Sequence, residues 1–259
     1  DGWSMGEPPL YYFISACIYA PFIKVFSMAT VYKILRIIPL ICGVIQIEIC
    51  YRTLKIVYPK REDLQALGTI IGALLPVNVY ISQFLGTEPL FGCLSSIFIL
   101  YVFKLINNNL IPKAGFFLSM GLFLGLSLLL KISAFLLIPP AIFFMFITFF
   151  RNYPTVREYF ISTIKNSIIV LSVACAISGW YFIRNYCELG QFIISTTCGA
   201  QESAVFLKWW QDPGYRTFSQ LMWTGQSLLH PIYSCVFSFW DSLYSTFWAD
   251  GALSGKTMY

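Results

Sequence analysis

Charge is what this sequence has least of. Only 11% of its 259 residues are Asp, Glu, Lys or Arg, against roughly a quarter in an ordinary soluble domain, which excludes a water-facing globular surface. There is one histidine, His230, placed before Pro231 with no metal-ligand partner around it, and it reads as structural. The eight cysteines show neither CxxC nor a Cys/His zinc spacing. Cys42, Cys50, Cys93 and Cys175 lie in apolar runs, where a thiol behaves as a small hydrophobe. Cys187 and Cys198 are near enough in sequence to pair in an oxidising compartment, a point the sequence leaves open. A Gly-rich phosphate loop, a nucleophile elbow and a zincin motif are all missing. The net charge of +5 comes from basic residues scattered beside apolar runs, which excludes a nucleic-acid surface. The chain opens on Asp1 with no initiator methionine and no signal-peptide pattern before the first apolar run, and it is read as an internal piece of a longer protein.

What is abundant is apolar and aromatic. Hydrophobic residues make up 58% of the chain, with 24 Phe and 16 Tyr, a composition suited to lipid and its interfaces. The expected fold is an all-α polytopic membrane protein. Apolar runs at 34–57, 64–82, 90–106, 114–130, 132–150 and 162–183 each approach the ~20 residues that cross a bilayer core. Residues 10–28, interrupted by Pro21 and Lys24, fit a helix lying in the interface. Residues 1–185 thus form the expected membrane core. Residues 186–259, rich in Trp with no run long enough to span, form an expected external loop with amphipathic interfacial helices.

Orientation follows from the basic residues. If 58–63 faces the cytoplasm, then Arg52, Lys55, Lys60, Arg61, Lys104, Lys113, Arg151, Arg157 and Lys165 all lie inside, the positive-inside pattern. The same alternation gathers Glu7, Lys33, Arg36, Glu88, Lys131 and Arg184 at the outer face. Cations there run against the bias and suit a lipid phosphate. The alternative is that each snorkels to headgroups by itself. Glu88 stands immediately before Pro89 in ISQFLGTEPL, where it reads either as a helix cap or as a functional carboxylate. An outer carboxylate can take a proton from an acceptor hydroxyl, bind a metal or orient a cation. Glu48 and Arg52, four residues apart, read as a local ion pair.

GEPPLYY at 6–12, VYKILRIIP at 31–39, ISQFLGTEPL at 81–90, GLSLLLKISAFLLIP at 125–139 and GWYFIRNYCELG at 179–190 resemble the GT-C superfamily of membrane glycosyltransferases. The closest likeness is to the bacterial family related to dolichyl-phosphate-mannose–protein mannosyltransferases and to the lipid A aminoarabinose transferase. WWQDPGYRTF at 209–218 and FWDSLYSTFWADG at 239–251 resemble an external segment of some bacterial members. The resemblance implies a GT-C-like helical bundle and an inverting transfer of a hexose or pentose from a polyprenyl-phosphate donor. It places the protein in a bacterial plasma membrane with the active site facing outward. It further implies catalytic roles for Glu88 and Glu7, and donor-phosphate binding by Lys131, Arg184 and Arg36. Trp209, Trp210, Asp212 and Tyr215 fall on the acceptor or sugar side. The implied partners are the lipid-linked donor, membrane lipid, and a protein, lipid or glycan acceptor. No cofactor is specified, and a divalent metal stays open. The family's acidic pair of the first external loop and its later spans are expected outside this stretch. A lipid-linked-sugar flippase and a non-catalytic assembly subunit are the competing readings. The charges gather at one face and no inverted repeat is evident, which disfavours a transporter.

Overall fold

In the computed structural model, residues 8–107, 112–193 and 247 are described. The secondary structure among them is helical throughout: α1 Leu10–Phe22, α2 Met28–Leu35, α3 Ile37–Val57, α4 Glu62–Leu74, α5 Pro76–Ile81, α6 Thr87–Asn107, α7 Ala114–Leu128, a 3-10 helix Ile132–Leu137, α8 Ile138–Asn152 and α9 Val156–Leu189. Among the described residues, four helical stretches are long and apolar enough to cross a membrane: Met28–Val57, Thr87–Asn107, Ile132–Asn152 and Val156–Glu188. The chain is an all-α polytopic membrane protein. It divides into two compact units, one of residues 1–70 and 82–194, the other of 71–81 and 195–259.

Local chemistry sets the helix boundaries. Ser27 caps α2 by accepting the Thr30 amide at 3.4 Å, and Thr155 caps α9 by accepting the Glu158 amide at 3.3 Å. Gly190 ends α9 with φ +70°, a left-handed position that only glycine takes without steric cost. Before α4, the Arg61 guanidinium donates to both oxygens of Asp63 at 2.9 and 2.7 Å. That contact holds the carboxyl below its usual range.

Beyond the run at 114–130, whose helix α7 has 15 residues and is shorter than the four stretches able to span, two stretches depart from the hydropathy pattern. The apolar run at 64–82 folds as two helices, α4 and α5, instead of one span. Pro76 opens α5; it has no N–H to donate and disfavours helical geometry in the residue before it. The expected start at residue 34 moves back to Met28, because α2 and α3 follow each other with Arg36 as the single residue between them.

Four helices of the first unit form the core. Phe98, Leu105, Phe117, Met120, Leu124, Met145, Phe149, Val170 and Ala174 are buried in one cluster drawn from α6, α7, α8 and α9. The closest approach is between α7 and α9. A Cβ at Gly121 would lie 2.7 Å from the Val170 carbonyl oxygen, and one at Gly125 would lie 3.0 Å from the Ala174 Cα. The two glycines, four residues apart, therefore bring the backbones together as small residues do in membrane helix pairs, where lipid provides no hydrophobic drive for association. Since Gly121 meets 170–173 and Gly125 meets 174–177, α7 and α9 run parallel. Helix α6 runs antiparallel to α7. The Tyr101 and Phe116 ring centroids lie 5.0 Å apart, and the opposite ends meet through Glu88 and Lys131.

This arrangement sorts the helix ends. One end of the bundle gathers the ends of α3 and α6 with the start of α7, where Ile56, Lys104, Asn107 and Phe116 line one surface pocket. The end of α8 joins it through Phe117 and Phe149, 6.1 Å apart. The other end carries the starts of α3, α6 and the 3-10 helix, and the end of α9.

Candidate functional site

The second of these ends is built around Lys131. Helix α7 stops at Leu128, and Lys131 adopts extended backbone, φ −155° and ψ 135°, before the chain turns into the 3-10 helix. Its amide still donates to the Ser127 carbonyl at 2.9 Å, and its carbonyl accepts from Ala134 at 3.1 Å. This kink points the side chain at the first turn of α6. There Nζ donates to Glu88 Oε1 and forms an ion pair with it. The ammonium also lies 6.0 Å from the centroid of the Phe91 ring, within cation–π range. Glu88 and Phe91 are three residues apart and share one face of α6, so one helical turn holds the lysine from two sides.

Helix α6 begins at Thr87, which puts Glu88 inside its first turn with its side chain committed to Lys131. The Glu88 and Lys131 side chains are 41% and 40% exposed, so the pair is half-open and a ligand can reach it. From the far side, Gln46 of α3 donates to the Pro89 carbonyl at 3.2 Å. Gly92 leaves room for that amide, since a Cβ there would lie 2.6 Å from Gln46 Nε2. Gln46 therefore anchors the turn that carries Glu88, as Phe91 backs the lysine. The sequence reading assigned neither residue a role, although Gln46 is a lone amide in an apolar run and so carried a signal.

The start of α1 reaches this end as well. The Leu10 amide donates to the Leu129 carbonyl at 3.1 Å, tying the chain just after the double proline to the segment just before Lys131. Glu7 itself lies outside the described residues, as do Trp209, Trp210, Asp212, Tyr215, His230 and Cys198. Arg184, on the last turns of α9, forms an ion pair with Glu188 at 3.0 Å, with both side chains more than half exposed. Its helix end is held beside the 3-10 helix by Phe135 and Phe182, whose rings are 5.5 Å apart. Arg36 is exposed at the start of α3, and its guanidinium forms no ion pair with a described residue. Of the expected constellation, then, Glu88 and Lys131 are in contact, Arg184 pairs with Glu188 on its own helix, and Arg36 stands ten residues before Gln46, the α3 residue that reaches the α6 start. Glu48 and Arg52 form the expected local pair at 2.7 Å. Among the described residues no group of three or more His, Cys, Asp and Glu is placed to hold a metal.

Chemically, the site offers a carboxylate and an ammonium side by side, half-open, at the end of an apolar bundle. Such a pair can exchange partners with a ligand that brings its own anion, because Lys131 retains donors beyond the one given to Glu88. No curated protein and no solved structure matches the chain. The dolichyl-phosphate-mannose-protein mannosyltransferase family matches residues 7–182, a stretch that holds Glu7, Arg36, Glu88 and Lys131. With four apolar helices able to span and a match over more than half its length, the chain belongs to the dolichyl-phosphate-mannose-protein mannosyltransferase family, a family of glycosyltransferase type.

Proposed function

We propose that this protein transfers a sugar from a polyprenyl-phosphate donor to an acceptor on the extracytoplasmic side of the membrane. The observation that carries this reading is the half-open Glu88–Lys131 ion pair at one end of the bundle, in a chain of this family. The acceptor hydroxyl gives its proton to the Glu88 carboxylate, and its oxygen forms the new bond at the anomeric carbon. The bond between that carbon and the phosphate oxygen breaks, and the lipid phosphate leaves with the electron pair. Lys131 bonds the phosphate, where negative charge grows as the bond breaks. In the resting protein the two side chains neutralise each other. An arriving phosphate takes Lys131 and leaves the carboxylate free for the acceptor. Arg184 keeps donors beyond the one shared with Glu188 and with Arg36 adds positive charge for the lipid phosphate. Glu7 is proposed as a second carboxylate of the site, and Trp209, Trp210, Asp212 and Tyr215 as its acceptor or sugar side.

The test is transfer and donor hydrolysis by the intact protein, against a panel of polyprenyl-phosphate sugars, with Lys131→Ala beside it. Release of the sugar from one donor is expected, and no turnover with any of them would overturn the reading in favour of a flippase or an assembly subunit. Removing a charge-assisted contact costs about 1.5–3 kcal/mol, roughly one to two decades of affinity. Lys131→Ala should therefore weaken donor binding by that much while the protein remains folded. Unchanged donor affinity would return Lys131 to the role of an interfacial charge.

Sidedness has its own test. Single cysteines at positions 60 and 210, in a background freed of native Cys, are exposed to an impermeant thiol reagent from outside. Labelling at 210 and protection at 60 is the expected outcome. The reverse would turn the Glu88 end toward the cytoplasm.

A further inference from the structure

The buried stripe of α9 ends on an amide that has nothing to bond among the described residues. Thr163, Ser167, Val170, Ala174, Ser178, Tyr181 and Asn185 follow one another at three- and four-residue steps, and all are buried. The polar members along the stripe are satisfied. Thr163 donates to the Tyr159 carbonyl at 2.8 Å, Ser178 to the Ala174 carbonyl at 2.8 Å, and Ser167 lies 3.9 Å from the Met145 sulfur. Asn185 is the exception: it is 2% exposed, and its Nδ2 has no hydrogen-bond partner among the described residues. Buried polar groups are bonded in the great majority of cases, so an exception asks for a missing partner. Among the described residues two other buried side-chain atoms share this condition, the hydroxyls of Ser15 and Ser95. A helical hydroxyl needs only a rotation to reach the carbonyl four residues back, whereas a primary amide carries two N–H donors to satisfy.

The position of Asn185 supplies the context. It follows Arg184 directly, one turn beyond the Phe182–Phe135 contact that joins α9 to the 3-10 helix leading away from Lys131. It therefore occupies the bundle end that carries the Glu88–Lys131 pair, on the buried side of α9, while Arg184 next to it is exposed. We propose that Asn185 is a headgroup-binding residue, donating its amide N–H to an oxygen of the lipid-phosphate sugar. The inference rests on the donor class given under the proposed function and adds to it a neutral contact that no charge pattern marks. An amide suits this place better than a cation, because an unpaired buried charge costs far more than an unpaired amide while the site is empty.

The experiment measures binding, not turnover, with the intact protein in nanodiscs. The probes are polyprenyl phosphate alone and the polyprenyl-phosphate sugar that the wild type turns over. If the wild type binds neither, the proposed function fails and this inference falls with it. If the wild type binds, Asn185→Leu decides the matter. Replacing the amide by an apolar group of similar size removes the buried unpaired donor, so the ligand-free protein should melt at or above the wild-type temperature. Donor affinity should fall about tenfold, the range for one hydrogen bond to a charged or strongly polar oxygen. A fall for both probes assigns the bond to the phosphate, and a fall for the sugar-bearing probe alone assigns it to the sugar. Asn185→Ala, smaller and unable to clash, is measured in parallel in case leucine does not fit. Affinity within twofold of wild type in whichever variant folds would overturn the inference. So would loss of the fold in both, which would make Asn185 a packing residue of α9.

Discussion

Glu88→Gln should leave the protein folded and cost at least about a hundredfold in turnover. The two halves of this expectation rest on different physics. For the fold, the side chain contributes through its ion pair with Lys131 and through the dipole of α6. The pair is 40–41% exposed, and half-open pairs of this kind contribute about 0.2–1 kcal/mol. A first-turn acid adds about 0.3–1 kcal/mol, and glutamine keeps the shape and an oxygen that can still accept from Nζ. The anchors of that turn remain, since Gln46 still bonds the Pro89 carbonyl. For the chemistry, a neutral amide cannot take the acceptor proton, and general-base assistance supplies about two to four decades of rate. The measurement is kcat for sugar transfer beside the melting temperature of the purified variant. Turnover near the wild-type value would leave Glu88 as nothing more than the counter-ion of Lys131.

Gly121→Val should destabilise the bundle by about 3 kcal/mol or more, the upper range for overpacking a membrane or protein core. The reason is which atoms stand in the way. A Cβ at this position would lie 2.7 Å from the Val170 carbonyl oxygen and 2.7 Å from the Val173 Cβ. The first of these is backbone and can retreat only if α9 moves as a whole. Gly125 makes the same kind of contact one turn later, so the strain cannot be relieved by pivoting about that point. Gly115, on the same helix, is the control, because a Cβ there meets nothing within 4 Å. Gly115→Ala should be neutral or stabilising by about 0.5–1 kcal/mol, the ordinary gain from replacing glycine within a helix. Thermal unfolding followed by size exclusion in detergent reads both. A Gly121→Val protein that melts with the wild type would show that α7 and α9 are not locked at this crossing.

Much of the fold was legible in the order of residues because the bilayer imposes a one-dimensional rule. Apolar length and the positions of charged breaks mark where helices run, and they mark Met28–Val57, Thr87–Asn107 and Val156–Glu188 within a few residues or turns. The rule fails where a backbone constraint overrides hydropathy. The run at 64–82 is apolar enough to span, yet Pro76 divides it into α4 and α5. Hydropathy weighs side chains and does not register a missing N–H.

The site divides in the same way. Glu88, Lys131, Arg36 and Arg184 could be marked from the sequence, because charge at the end of an apolar run is rare enough to notice. Which of them touch could not. Glu88 and Lys131 are 43 residues apart, and their contact depends on α6 and α7 running antiparallel, with a kink after Leu128 that turns the lysine toward α6. Arg184 had an equal claim on position, but its own helix supplies Glu188 four residues on, at 3.0 Å. Gln46 and Asn185 carry no net charge, so their part depends on burial and on whether a partner is within reach. The amino-acid order determined the membrane class and the places where charge meets the apolar spans, since these follow from composition along a line. Only the tertiary structure decided that one acid and one lysine form a pair and that one buried amide is left without a partner among the described residues. Contact and burial are set by helix direction, close approach at glycine and side-chain reach, which exist only once the helices have packed.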